Sequence, residues 1–575
     1  MASLDHYRVK GRTYWRIVES RRINGKPRPV PVMYLGSADA LLARLSGTGP
    51  GPASIRSFQH GGIAALTAVA QRLHIAELID RHLPPVDTSS SSSSSRPSVG
   101  QAMVLAACNR AIRPRSKRGW AGWAQGTSMA HLYPDFKPES LTSQFFWDQM
   151  NQIPVDKLPE IERDLTKVII SDLNISLDTL FYDTTNFFTY IDSTNTHCEI
   201  PQRGHSKQKR SDLRLFGFAL LVSRDGQIPI CSHVYQGNRA DVKEFIPALT
   251  AIRQRLADLS IALQDVTLVY DRGNLSQTNQ QMIDESTLGY VSALVPAQQS
   301  DLIAIPLSSY RVISTGRLKG VSVYRTTKMI WGKERAIVMY QSDEFQAGQK
   351  RGLDQSLARA EKTLVAWRER LKKSRTGSRT QATAERRIER ILSAQFLRKI
   401  LRITYNRKKK GEKRLVWAID QTAYDHLCNE YFGKRILTSN HIDWSDEDII
   451  LAYRGQSGVE STFKQSKDDE HFAFRPQYHW TDQKIHVHAF ICLLALLLGR
   501  VIERAARQLG RTQSLSHIMD ELDTIRLAMV LTQSGERAGR PRCQWMLEEA
   551  QPATLELFRS IVPDLPPFMY TQRSS

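Results

Sequence analysis

Three carboxylates stand where acids are hard to keep. Asp183 lies inside the aromatic and threonine-rich segment FYDTTNF, Asp271 closes the apolar run VTLVYDRG, and Glu460 sits in the helical stretch IILAYRGQSGVESTFKQSK. A carboxylate inside or at the end of a buried strand is costly unless it is hydrogen-bonded or neutralised. Divalent cations neutralise it, and Mg²⁺ is typically held by one or two protein carboxylates together with phosphate oxygens and water. Any one of these acids alone could equally serve as a cap, a turn or an ion-pair residue. Their joint placement is what points to metal ligation.

The stretch around Glu460 adds a geometric argument. At 3.6 residues per turn, positions seven apart differ by only about 20° around a helix axis. Tyr453, Glu460 and Lys467 are each seven apart and share one face, and Gln456 and Lys464 fall on the same stripe. An acid there has a phenol two turns before it and an ammonium two turns after. The alternative is an ordinary solvated helix face. Gly455 and Gly458 stand just before the acid at a cost of roughly 1 kcal/mol each relative to alanine, which points to close approach by another backbone or by DNA.

The elements that must position these residues begin near Leu177. LDTLFYDTTNFFTY is β-rich, and RLFGFALLVSRDGQIPICSHVYQG reads as a hairpin turning at Asp225-Gly226. Helical spacing over 242–258, the strand ending at Asp271, a short helix and the strand GYVSAL follow. Three strands, a helix, a strand, a helix and a strand make a mixed α/β sheet. Strands return over 306–345. Lys350 to Arg414 then carries 22 Lys and Arg against six acids, a net of +16 out of +21 for the chain. Charge so localised on helical sequence favours a phosphate-binding surface over a merely solvated helix pair. KRILTSN is β-like, and Ser445 with Asp448 forms a capping-box-like helix start.

The N-terminal part opens with short strands around a candidate Asn24-Gly25 turn and becomes helical over 60–84. A run of serines from Ser89 to Ser95 reads as a flexible tether, and helix resumes from Val99. Six scattered cysteines lack CxxC spacing, so neither a zinc site nor a disulfide framework is expected. The N-terminus has no secretory h-region. The longest apolar run, Ala489 to Leu498, is ten residues and reads as buried helix rather than a membrane span. The strong basic charge implies a polyanionic partner, nucleic acid being the commonest.

With these residues in place, the sequence resembles the DDE transposases of bacterial insertion sequences. It resembles in particular the group with a YREK signature, Y-x2-R-x3-E-x6-K. Tyr453, Glu460 and Lys467 fit that spacing; Gln456 stands where the family has arginine, and the nearest arginine is Arg454. The resemblance covers about 177–500. It implies a ribonuclease H-like mixed sheet, Asp183 on the first strand and Asp271 on the fourth, and a large insertion before the catalytic helix, plus a mainly helical N-terminal region. It further implies that Asp183, Asp271 and Glu460 are catalytic and hold two Mg²⁺ ions, with Mn²⁺ a possible substitute. Tyr453, Arg454, Lys464 and Lys467 would contact DNA. The partners implied are double-stranded DNA, at element ends and target, and a second copy of the chain in a homodimeric DNA complex. No membrane is involved, and the location expected is cytoplasmic and nucleoid-associated.

The domains expected are 1–95, β then helical with the serine-rich linker, and 96–176, helical and DNA-end-binding. The first part of the core occupies 177–305 and the basic insertion 306–440. The catalytic and following helices occupy 441–510, and a helical tail 511–575. Two other readings stay open: a ribonuclease H-like nuclease that cuts without joining, and an inactive DNA-binding relic. Asp241 and Glu244, in the QGNRAD region after the third strand, are reserve metal candidates. His197 with Cys198 and His486 with His488 resemble ligand pairs only superficially. Trp331 and Trp367 are aromatics of the insertion between which the sequence does not choose for a base contact.

Overall fold

The computed structural model describes residues 2–9, 11–23, 26–39, 42, 52–84, 97–133, 136–192, 194–204, 210, 212–373, 381–406, 414–532 and 542–563. Asn24-Gly25 and the serine run lie outside the described residues.

A nine-stranded sheet organises the chain. Its strands are β1 (Thr179–Thr189), β2 (Arg214–Ser223), β3 (Pro229–Gln236), β4 (Thr267–Tyr270), β5 (Gly289–Ala293), β6 (Arg311–Val312), β7 (Ser322–Ile330), β8 (Lys333–Gln341) and β9 (Lys434–Ser439). The spatial order is β6-β7-β8-β9-β5-β4-β1-β2-β3. β4 runs parallel to both β1 and β5, while the remaining neighbours are antiparallel. The order follows from local chemistry. β1, β2 and β3 are joined as a meander, with Gly226 at φ +75° in the β2–β3 turn, a conformation open to glycine. β4 and β5 are short and wholly buried, as parallel strands covered on both faces must be. The strands expected over 306–345 do not form a separate sheet. They extend the central one.

The helices used below are α1 (Gly61–Arg72), α2 (Val99–Ile112), α3 (Leu158–Leu173), α4 (Asp241–Asp258), α5 (Gln277–Glu285), α6 (Asp343–Lys373), α7 (Gln381–Leu392), α8 (Asp446–Gly455), α9 (Ser457–Ser466), α10 (Asp482–Gln508) and α11 (Leu515–Asp523). α4 covers one face of the sheet, where Phe245 packs on Tyr182 and Tyr270 with ring centroids 5.3 and 4.9 Å apart. The ten-residue apolar run lies inside α10, a 27-residue helix. On length and composition α10 could cross a membrane, but 94% of its apolar stretch is buried within the fold. It packs against α1, α2 and α11, so its leucines close the core between the N-terminal helices and the sheet. Each such leucine contributes roughly 1.5–3 kcal/mol on burial.

Both ends of the chain carry strands paired in sheets. Residues 2–9, 12–23 and 26–37 form a three-stranded antiparallel sheet. The strand at 52–59 pairs with Arg526–Thr532, which pairs in turn with Arg542–Leu547. The C-terminal stretch expected to be a helical tail therefore also contributes two strands, because its alternating side chains found a partner far away in sequence.

The insertion has its own small core. Leu364, Trp367, Leu397, Ile400, Leu415 and Phe432 are buried together between α6, α7 and the hairpin Leu401–Tyr405/Leu415–Ile419. That separates the two insertion tryptophans: Trp367 is 2% exposed in this core, whereas Trp331, at φ +47° in the β7–β8 turn, is 42% exposed.

Candidate active site

The parallel register of β1 and β4 runs from Thr179 opposite Thr267 to Tyr182 opposite Tyr270. The next position on each strand is Asp183 and Asp271. Neighbouring strands lie about 4.8 Å apart, and side chains alternate between faces. Tyr182 and Tyr270 both turn toward α4, so the two aspartates occupy the opposite face, at the point where β4 ends. The carboxyl ends of parallel strands are the usual place for a ligand in such sheets. Asp183 Oδ1 accepts the Thr184 N–H at 2.8 Å. Asp271 Oδ1 accepts the Tyr453 hydroxyl at 3.3 Å. Both acids are half-buried.

α8 starts with the expected capping box. Ser445 Oγ accepts the Asp448 N–H at 3.1 Å, and the Asp448 carboxylate accepts the Ser445 N–H at 3.3 Å. The single helix read from the sequence is in fact two, α8 and α9, divided at Gln456. That residue keeps helical angles, φ −59° and ψ −26°, so the seven-residue stripe passes nearly straight through the break. A Cβ on Gly455 would lie 2.3 Å from Cζ of Phe181, and one on Gly458 would lie 2.3 Å from the side chain of Gln227. The approach that both glycines permit is therefore made by the protein itself.

Two contacts fasten this stripe to β1. Gln456, only 4% exposed, donates from Nε2 to the Tyr182 carbonyl at 3.4 Å. The Lys467 ammonium donates to Thr185 Oγ1 and lies 5.7 Å from the centre of the Phe187 ring. They bracket Asp183 along the strand. Glu460, one turn beyond Gln456 and two before Lys467, is on the same stripe and is exposed. Thr185 is not foreseen from the sequence, although alternation along FYDTTNF places it on the face of Asp183. Arg475, also not foreseen, donates to the Lys467 carbonyl at 2.9 Å.

Burial, reinforced by the Asp271 carboxylate, pushes the Tyr453 phenol above its ordinary value. It remains a proton donor. Arg454 lies on another side of α8, its guanidinium 5.3 Å from the Tyr340 ring of β8, and Lys464 is exposed on α9.

Asp241 and Glu244 belong to the α4 side of the sheet. Asp241 accepts the Tyr235 hydroxyl at 2.8 Å. Glu244 is buried, with Arg239 at 3.0 Å and His233 at 3.5 Å. These contacts give both acids local partners away from the Asp183–Asp271 face. His488, buried in α10, lies 2.8 Å from the Phe474 carbonyl, and the Cys198 thiol lies 3.4 Å from Asn195 Oδ1.

Among the described residues, no three His, Cys, Asp or Glu side chains gather into a ready-made metal cluster. A pair of half-buried carboxylates on adjacent strands is nonetheless a hard oxygen donor set. It suits a small divalent cation that takes its remaining ligands from phosphate and water. The residues fit such an ion.

The family model described as Transposase DDE domain matches residues 188–498, more than half of the chain. The chain belongs to that family. Asp271 and Glu460 fall within the matched span, and Asp183 lies five residues before it. DDE transposases cleave DNA and transfer strands, and the family generally works with divalent metal ions. No curated protein matches the chain. A solved structure titled as the cryo-EM structure of piggyBac transposase synaptic complex with hairpin DNA aligns with 89% of this chain and 86% of its own. The identity is 8% and the TM-score 0.38, a likeness too slight to argue from.

Proposed function

We propose that this DDE transposase cuts DNA at the ends of a bacterial insertion sequence and joins the freed end to target DNA. The observation that carries the reading is the lateral pairing of Asp183 and Asp271, with the Tyr453 hydroxyl on Asp271. The order β3-β2-β1-β4-β5, with β1, β4 and β5 parallel, supports a ribonuclease H-like core. β6 to β9, α6 and α7 are then the large insertion before the catalytic helix. The Tyr453, Glu460 and Lys467 stripe supports the YREK group, with Gln456 serving as a strut to β1 in place of the signature arginine.

Asp183, Asp271 and Glu460 would hold two Mg²⁺ ions, or Mn²⁺ in their place. Such ions make water nucleophilic near neutral pH and stabilise charge on attacking and leaving oxygens. In the first step water attacks the scissile phosphorus, the P–O3′ bond breaks, and the 3′-oxygen takes up a proton. The products are a 3′-hydroxyl and a 5′-phosphate. In the second, that 3′-hydroxyl attacks a target phosphodiester, loses its proton and expels a target 3′-oxygen. Tyr453 orients the Asp271 carboxylate through its hydrogen bond. Lys467 offers a point charge to the backbone beside the scissile bond, while Lys464 and Arg454 make outer DNA contacts. The basic insertion grips duplex phosphates. Two ends must be brought together, which calls for a homodimer on DNA, and the setting is the bacterial cytoplasm and nucleoid.

The test is Mg²⁺-dependent cleavage and joining of DNA carrying the element's ends, with Asp271→Asn and Glu460→Gln beside the unaltered chain. Loss of cleavage by two to three orders of magnitude or more, with duplex binding kept, supports the assignment. Normal cutting by both variants overturns it. Cleavage without joined products by the unaltered chain would instead establish a nuclease, and binding without cleavage a relic.

A further inference from the structure

β9 opens with two cations whose side chains turn to opposite faces of the sheet, as neighbours on a strand must. Lys434 is buried on one face, where its ammonium donates to the Ile303 and Ile305 carbonyls at 2.8 and 2.7 Å. Arg435 stands directly across from Tyr340 of β8, so these two side chains share the other face. Arg454 of α8 reaches the same Tyr340 ring, its guanidinium 5.3 Å from the ring centre. Arg435 therefore lies on the face that α8 covers, which is the face of Asp183 and Asp271.

Strand register fixes its place relative to the carboxylates. Val269 of β4 pairs with Val291 of β5, which sets Asp271 level with Ala293, and Ala293 pairs with Leu437 of β9. Arg435 is two positions before Leu437, one step farther toward the end of the sheet where β4 stops. Two strand spacings, about 10 Å, separate it laterally from Asp271. Its charge is felt at the Tyr453 phenol, where it opposes the upward push of burial and Asp271.

The guanidinium is held in place but not satisfied. It lies 4.3 Å from the centre of the Phe345 ring at the start of α6. Stacking uses the flat face of the group and leaves its in-plane N–H donors free. Among the described residues those donors meet no carboxylate and no hydrogen-bond acceptor, although Arg435 is half-buried. A cation so placed gains from an anion brought to it. The stripe on α8 and α9 offers ammonium groups at Lys464 and Lys467 but no guanidinium, and Gln456 on it is turned to the Tyr182 carbonyl.

We propose that Arg435 is a DNA-contacting residue of this active site, its guanidinium forked onto a backbone phosphate on the insertion side of the carboxylate pair. A planar fork matches two phosphate oxygens at once, so it sets the register of the strand and not only its attraction. The inference rests on the transposase reading and adds to it a second grip, opposite Lys467, that fixes which phosphate enters between Asp183 and Asp271.

The test is single-turnover cleavage, in Mg²⁺, of duplex DNA carrying the element's ends by the full chain, by Arg435→Gln and by Arg435→Lys. Arg435→Gln should slow cleavage about tenfold or more. Arg435→Lys, which keeps the charge but not the fork, should recover only part of that loss. Each phosphate near the cut is then replaced in turn by a neutral methylphosphonate. At one position the unaltered chain should lose about as much rate as Arg435→Gln does, and the variant should lose nothing further there. Elsewhere the two losses should multiply. A merely structural role for Arg435 would make them multiply at every position, and that result overturns the proposal. So does an Arg435→Gln chain that cuts at the unaltered rate. Either result beside normal cutting by the unaltered chain removes Arg435 alone, whereas no cutting by the unaltered chain overturns the transposase reading with it.

Discussion

The Tyr453 hydroxyl donates to Asp271 Oδ1 at 3.3 Å, joining residues 182 positions apart in the chain. The helix is thereby registered on the strand end by the very residues proposed to work there. Tyr453 thus has a positioning role that does not depend on DNA, beside the backbone contact proposed for it.

Tyr453→Phe removes this bond and leaves the ring. A hydrogen bond to a charged group contributes about 1.5–3 kcal/mol at good geometry, and at 3.3 Å the lower end applies. Single-turnover cleavage should fall about tenfold, by more than any loss of DNA affinity explains. Because burial and Asp271 hold the phenol protonated above its ordinary range, pH–rate profiles of the two proteins should run parallel through pH 10. A bend near pH 10 in the unaltered chain alone would contradict this.

Gly455→Ala should push α8 off β1. The new Cβ meets the buried Phe181 ring at 2.3 Å, and overpacking of this kind costs about 1–3 kcal/mol. Thermal unfolding should show that loss. Cleavage should fall further than stability explains, since Gln456 and Glu460 move with the helix. An alanine variant as stable and active as the unaltered chain would show that the helix seats differently.

The insertion should set the salt dependence of duplex binding. Arg386 and Arg390 are exposed on α7, one turn apart. Removing one cation that neutralises a phosphate lowers the slope of log K against log salt by about 0.9. The double change Arg386→Gln, Arg390→Gln should therefore flatten the slope by about 2 without altering the melting temperature. An unchanged slope would place the DNA elsewhere.

Asp523 closes α11 against α1, where a Cβ on Gly62 would come within 2.3 Å of its Oδ1. Burial pushes its carboxyl from 3.8 up to about 7. A pKa raised in the folded state contributes stability that is full below about pH 3.8 and is lost as pH rises through about 7. Asp523→Asn, neutral throughout, should match the unaltered chain near pH 4 and melt higher at pH 8. Equal melting temperatures at pH 8 would refute the buried carboxyl.

The sequence by itself carried the alternation of strands and helices from 177 to 305, the Asp225-Gly226 turn, the capping box at Ser445 and the stripe from Tyr453 to Lys467. Each is encoded within a few residues, through side-chain period, turn chemistry or helix geometry, and so survives without tertiary context. What required the tertiary structure was pairing. Asp183 and Asp271 become neighbours only through the parallel register of β1 and β4, and Gln456 becomes a strut only because Tyr182 presents a carbonyl to it. The strands after β5 join the central sheet, and Arg526–Thr532 finds residues 52–59, through hydrogen bonds that any exposed strand edge could accept. Nothing local distinguishes one such edge from another. The break at Gln456 has the same origin, since Gly455 and Gly458 answer to Phe181 and Gln227, residues more than two hundred positions away.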